Sequence, residues 1–375
     1  MTDLPAEISQ QTFMLRALTL AEKGRGRTAP NPPVGAVIVK NSQVVGEGYH
    51  PQAGMPHAEI YALDQAGEAA RGADIYVTLE PCSHFGRTPP CTQALINAGI
   101  SRVFVGAIDP DPRVSGAGIS MLREAGIEVF SGLCQAQATE LIAGFSKHLR
   151  TGHPWTIYKA AMTLDGFTAT AVGDSRWISC EESRLRVHRL RNRVEGIMVG
   201  IETVLKDNPL LNVRLPDEQT RDPLRIVVDS RLRFPLSSNM INQPSTATTL
   251  IATCSQETDQ ISRLEDAGAE VLVLPEQQGR VALPSLWEDL GRRGVQHLLL
   301  EGGSVLATAA WKECLIDELM IFVAPRLAGG CPVNGLFAGT GTSLMAETAV
   351  LEEMRHETSG SDLLIRARVQ TCLLD

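Results

Sequence analysis

Residues 56–59 read Pro56-His57-Ala58-Glu59, and residues 81–91 read Pro81-Cys82-Ser83-His84-Phe85-Gly86-Arg87-Thr88-Pro89-Pro90-Cys91. One imidazole and two thiolates are three ligands of the kind zinc takes, and a catalytic zinc keeps its fourth position open for water. Zinc lowers the pKa of that water to about 7, so hydroxide forms at neutral pH. Glu59 follows His57 by two residues, where a carboxylate can take the proton of the water and pass it to a substrate. A structural zinc would instead want a fourth protein ligand, and His84, just after Cys82, could be one. The placement also bears on fold. His57 and Cys91 open predicted helices and Cys82 follows a strand end, so the ligands converge from successive β/α units.

Outward from the motif the pattern stays α/β. Residues 11–23 carry a helical apolar stripe of Phe13, Leu15, Ala17, Leu18, Leu20 and Ala21. Val34–Val39 and Gln43–Tyr49 read as a hairpin about the Asn41-Ser42 turn. His57–Ala69 is predicted helical, Asp74–Leu79 a strand, Cys91–Ala98 a helix, Arg102–Ala107 a strand, Ile119–Ala125 a helix and Ile127–Phe130 a short strand. A closing helix and a linker through Arg150-Thr151-Gly152-His153-Pro154 are expected next. Residues 1–150 thus form one α/β domain.

A second α/β domain is expected over 151–375. Trp155–Ala161, Gly196–Gly200, Leu224–Asp229, Thr249–Thr253, Glu270–Leu274 and His297–Glu301 read as strands. Glu181–Asn192 reads as a helix capped by Ser179, with two acids in its first turn. Leu319–Ala324 and Asp362–Ala367 are expected to add antiparallel strands. Glu301-Gly302-Gly303 joins a strand to a helix, where backbone amides can approach a phosphate; a plain tight turn would look the same. The standard Gly-x-Gly-x-x-Gly dinucleotide fingerprint is absent.

Composition bounds these readings. The 375 residues carry a net charge of −9, which argues against chain-wide affinity for nucleic acid. Hydrophobic residues make up 43% and charged residues 21%, an ordinary globular balance. No run approaches the roughly eighteen apolar residues of a membrane helix. The N-terminus lacks the basic and apolar regions of a signal peptide, so no membrane association and a cytoplasmic location are expected. Of the eight cysteines only Cys82 and Cys91 stand in a context that suggests chemistry.

His-x-Glu with Pro-Cys and a second Cys resembles the site of nucleobase deaminases, whose cysteines are commonly two residues apart. Here the longer insert Ser83–Pro90, with Pro30-Asn31-Pro32-Pro33-Val34-Gly35 and Gly48-Tyr49-His50, resembles the riboflavin-pathway deaminases. That resemblance implies a cytidine-deaminase-like three-layer domain acting on a diaminopyrimidinone ribosylamine 5′-phosphate. It implies His57, Cys82 and Cys91 as Zn2+ ligands and Glu59 as proton shuttle. Asn31 and His50 would bind the substrate, His84 and Arg87 would suit its phosphate, and Asp109 its ring or ribose. Where that family often has Asn this chain has Asp111, a poorer neighbour for phosphate.

The second half is similar to the reductase domain of the same bifunctional family, related to the dihydrofolate reductase fold. Lys159–Gly166, Ser175–Ser179, Gly200–Arg214, Arg225–Ser230 and Glu301–Gly303 carry the likeness. It implies hydride transfer from NADPH to the ribose C1′. Ala161, Trp177, Thr203, Asp207, Ser230 and Gly303 would contact NADPH. Ser175, Arg191, Leu211, Arg214 and Glu301 would contact the substrate, with both arginines gripping its phosphate bidentately. Lys159 would orient or polarise the reacting centre. A homodimer through the C-terminal domain is also implied. The rival reading is a tRNA deaminase with an accessory domain; the acidic charge and the long insert count against it.

Overall fold

The structure, a computed structural model, describes residues 6–84, 89–112, 114–216, 219–330 and 335–370. The chain divides into two compact units, Met1–Gly152 and His153–Asp375.

The first unit runs α1 (Ala6–Ala21), β1 (Gly35–Lys40), β2 (Gln43–Tyr49), α2 (Ala58–Ala66), β3 (Asp74–Leu79), α3 (Cys91–Ala98), β4 (Arg102–Ala107), α4 (Ala117–Glu124), β5 (Glu128–Ser131), α5 (Gln135–Leu141) and α6 (Ala143–Thr151). Its sheet has the order β2-β1-β3-β4-β5, antiparallel through β2, β1 and β3 and parallel from β3 to β5. Alternate strand residues face opposite layers. Ile38, Ile75 and Val105 pack against Ala58, Ala62, Leu95 and Leu122 on one face. Val37, Tyr76 and Phe104 pack against Met14, Ala17 and Leu141 on the other. Glycine sets the closeness of α2: a side chain at Gly48 would lie 2.3 Å from the Ala58 carbonyl. That contact seats the start of α2, and with it His57 and Glu59, on the sheet. The linker expected from Arg150 is shorter, because α6 continues through Thr151 until Gly152, in the left-handed region, closes it.

The second unit runs β6 (Trp155–Thr163), α7 (Glu181–Arg191), β7 (Gly196–Gly200), α8 (Ile201–Asp207), β8 (Leu224–Val228), α9 (Asn239–Asn242), β9 (Thr249–Thr253), α10 (Thr258–Asp266), β10 (Glu270–Val273), β11 (Glu276–Gln277), β12 (Arg280–Val281), α11 (Leu283–Arg292), β13 (His297–Glu301), α12 (Ser304–Lys312), β14 (Glu318–Ala324), β15 (Leu351–Ser359) and β16 (Asp362–Val369). Nine strands form one sheet, β10-β9-β8-β7-β13-β6-β14-β16-β15. The first seven are parallel. β14 was expected to be antiparallel; it runs parallel to β6, and only its β16 partner is reversed. Trp287 and Leu290 fill one face of the sheet, Phe234, Met240 and Leu264 the other. Full burial of such a side chain contributes about 1.5–3 kcal/mol. The α7 cap is Cys180 rather than Ser179: the Cys180 amide donates to Asp362 Oδ2 at 2.8 Å, which draws the chain into the helix one residue later.

Candidate active sites

In the first unit three element ends meet. His57 is the N-cap of α2, Cys91 is the first residue of α3, and Cys82 lies beyond β3. Their ligand atoms all lie within 4.8 Å of one another, the one such group among the described residues. His57 Nδ1 lies 3.3 Å from Cys91 Sγ and 3.7 Å from Cys82 Sγ. The exposed His84 is not part of this group. The Cys91 thiol and amide both point at Cys82, and this contact, against burial, holds the Cys82 thiol well below its usual range. The same contact pushes Cys91 upward.

Glu59 sits in the first turn of α2 and is 3% exposed. Burial pushes its carboxyl above the usual range while His57 pulls it back, and its Oε2 is buried without a hydrogen-bond partner. An orphaned carboxylate oxygen beside three converging ligands fits a metal with an activated water.

Asn31 and His50 stand together, Asn31 Nδ2 3.2 Å from His50 Nε2. His50 is fully buried, with Nδ1 3.0 Å from the Pro56 carbonyl. A proton on Nδ1 leaves Nε2 to accept from Asn31. Asp109 is half-buried, its Oδ1 accepting from the Asp111 amide at 2.9 Å. Arg87 lies outside the described residues.

The second unit holds a cleft of about 2390 Å³ at the carboxyl ends of its parallel strands. Ala161, Trp177, Thr203, Asp207, Ser230 and Gly303, expected at a dinucleotide, all line it. So do Lys159, Ser175, Arg191, Leu211, Arg214 and Glu301, expected at the substrate. Strand register explains one pairing: Lys159 of β6 lies level with Glu301 of β13. Gly303 caps α12 at the point where a phosphate-binding turn was expected.

One expectation meets a different partner. Arg191 Nε and Nη2 donate to the two Glu301 oxygens, both at 2.8 Å, so its planar fork is taken by a carboxylate. Burial pushes Glu301 upward, but the Arg191 charge and hydrogen bonds, with Lys159, hold its carboxyl at about 2. Burial pushes the Lys159 ammonium below its usual range, with Glu301 opposing and Arg191 reinforcing. Arg214 is exposed to the cleft.

Two residues went unread in the sequence. His188 lines the cleft three positions before Arg191, hence on the same helix face, and its Nδ1 accepts from the Arg214 amide at 3.2 Å. That i, i+3 spacing was the available signal. Glu80, just before Pro81-Cys82, is a buried carboxylate bonded to distant backbone amides; nothing local announces it.

A metal-type triad beside a buried carboxylate, and a separate cleft across parallel strand ends, are sites for two different chemistries. Residues 7–107 match the cytidine and deoxycytidylate deaminase zinc-binding region, and residues 154–365 match the RibD C-terminal domain. The class is a zinc-binding deaminase domain followed by a reductase domain, the latter implying a nucleotide cofactor. The riboflavin biosynthesis protein RibD of Aquifex aeolicus is 43% identical over 95% of this chain and 97% of its own. That of Escherichia coli (strain K12) is 42% identical over 93% and 97%. Among solved structures, Acinetobacter baumannii RibD (form 1) superposes with a TM-score of 0.84 at 38% identity, covering 97% of this chain and 99% of that one. A Thermotoga maritima diaminohydroxyphosphoribosylaminopyrimidine deaminase/5-amino-6-(5-phosphoribosylamino)uracil reductase gives 0.83 at 34%, with the same coverage. The chain belongs to the RibD family and is a bifunctional deaminase and reductase of riboflavin biosynthesis. Among the described residues no helix is long and apolar enough to cross a membrane.

Proposed function

We propose that the first unit deaminates a diaminopyrimidinone ribosylamine 5′-phosphate with zinc held by His57, Cys82 and Cys91. The observation that carries this is the unpartnered, buried Oε2 of Glu59 beside the three converging ligands. When bound, the ion supplies Lewis acidity that activates a water for attack on the ring. Glu59 takes a proton from the attacking water and delivers protons to the ring nitrogen and the departing amine. Its raised affinity for protons suits that shuttle, since an acid-base group works best with a pKa near the operating pH. Asn31, its amide oriented by neutral His50, binds the substrate, and Asp109 meets the ring or ribose. His84 and Arg87 serve the phosphate.

The second unit reduces the ribosyl group of the deaminated product to ribityl with NADPH. When bound, the dinucleotide supplies the hydride for C1′. Thr203, Asp207, Ser230 and Gly303 hold it, with Ala161 and Trp177 along its path. Ser175, Leu211, Arg214 and Glu301 bind the substrate, Arg214 leading on the phosphate while Glu301 fixes Arg191. Lys159, short of solvent and level with Glu301, orients the reacting centre. A second copy of the chain packs on β15, an edge strand whose surroundings expose Met345, Val350 and Met354. The enzyme works in the cytoplasm on small molecules, not nucleic acid.

The test is a two-step assay on the full chain, with ammonia release and NADPH oxidation followed separately. Glu59→Gln, or removal of zinc by a chelator, is expected to lower ammonia release by at least about 100-fold. Reduction of supplied deaminated intermediate is expected to continue unchanged. Full ammonia release by the variant would remove Glu59 from the mechanism.

A further inference from the structure

Glu80 ends the run from β3 toward Cys82 and is 4% exposed. Its Oε1 accepts from the Gly118 amide at 2.9 Å and the Ile119 amide at 3.2 Å. Its Oε2 accepts from the Gly116 amide at 3.0 Å and the Asp109 amide at 3.3 Å. Among the described residues no side chain donates to it, so its oxygens are met by backbone N–H groups, those at the start of α4 among them. One carboxylate thereby ties both ends of the segment 109–116. The first turn of α4 is pressed onto the same spot: a side chain at Gly118 would lie 2.1 Å from the Pro81 carbonyl and 3.2 Å from Glu80 Oε1. Asp109, at the head of that segment, is half-buried, and His84, two residues after Cys82, is among the charges that act on it.

We propose that Glu80 is a positioning residue of the deaminase: it locks the segment that carries Asp109 to the residues leading into Cys82, and it acts on the reaction through Asp109. This rests on the reading of Asp109 as a substrate contact. The order of the chain makes the device economical. Glu80-Pro81-Cys82 delivers a metal ligand and the anchor of the segment that begins at Asp109 from one strand end, so the link between that segment and the ligand runs through three consecutive residues. A carboxylate can satisfy four donors at once, two on each oxygen. Glutamine keeps the shape but turns an N–H2 group against two of those donors, which leaves buried amides unpaired.

The experiment compares Glu80→Gln, Asp109→Ala and the double variant in the full chain. It measures kcat and KM for ammonia release, bound zinc, and reduction of deaminated intermediate as an internal control. Glu80→Gln is expected to raise the deaminase KM about tenfold with kcat changed less than about threefold, since it loosens binding and leaves the metal chemistry alone. Zinc and the reductase activity stay at the wild-type level. The double variant is expected to be no worse than Asp109→Ala, because two residues acting through one contact do not add. An unchanged KM in Glu80→Gln, or full additivity, overturns the proposal while leaving the substrate role of Asp109 intact. An unchanged KM in Asp109→Ala instead overturns the reading on which the proposal rests. Should Glu80→Gln fail to hold zinc, Gly118→Ala decides, since it disturbs the same contact with the carboxylate in place. A raised KM with zinc retained supports the proposal, and an unchanged KM or loss of zinc in both variants overturns it.

Discussion

His188 lies on α7 between two arginines that face the cleft, and its environment makes a prediction about acid. Burial, then the charges of Arg191 and Arg214, hold its imidazole at about 4 against an ordinary 6.5, with Glu301 opposing. The unfolded chain therefore binds more protons than the folded one between those values. Stability from this residue is complete above pH 6.5 and is lost as pH falls toward 4. Glu301, held at about 2 against 4.5, extends the loss below pH 4.5. Urea unfolding of the second unit, followed from pH 7 to pH 4, is expected to show a shallower pH dependence in His188→Gln than in the wild type. Equal slopes would mean that His188 titrates normally in the fold. The residues of the first site were legible because a metal triad needs few residue types at close spacing: His57 and Glu59, then Cys82 and Cys91. Glu80 was not, because its partners are backbone amides 29 to 39 positions away, and His188 offered only its i, i+3 spacing from Arg191.

At the scale of elements, α7 carries both His188 and Arg191 and is anchored at its start by a strand end. Asp362 Oδ2 accepts from the Cys180 amide at 2.8 Å and from Ser183 Oγ at 2.7 Å, and Asp362 is 3% exposed. Asp362→Ala is expected to destabilise the second unit by about 1–2 kcal/mol, as loss of a helix cap does. Because α7 then shifts at the cleft, reductase kcat/KM should fall severalfold while ammonia release holds. A destabilised variant with wild-type reduction would show that the cap serves stability alone. Elements with strong apolar runs, such as β3, β4 and β13, could be read from residues alone since both faces of each are covered. β15 could not. Its sequence Leu351-Glu352-Glu353-Met354-Arg355-His356-Glu357-Thr358-Ser359 has no buried face, only Ser359 being buried, and pairing with β16 alone makes it a strand. The direction of β14 was also hidden, because parallel and antiparallel partners impose the same residue pattern.

For the whole molecule, the open edge at β15 predicts an assembly. Met345 is 84% exposed, Met354 69% and Val350 64%, beside a strand that has one side unpaired among the described residues. Such an edge is normally blunted or covered. Sedimentation is expected to find two chains per particle, and Met354→Glu to shift the population toward single chains. A monomeric wild type at micromolar concentration would refute the second-copy reading. Each unit has its own sheet, its own core on both faces of that sheet and its own site. Since both units lie on one polypeptide, every ribosome that completes the chain delivers the two catalysts in equal number. A cell can raise or lower the pair only together, and a change in gene dosage cannot by itself leave the first product without an enzyme to consume it.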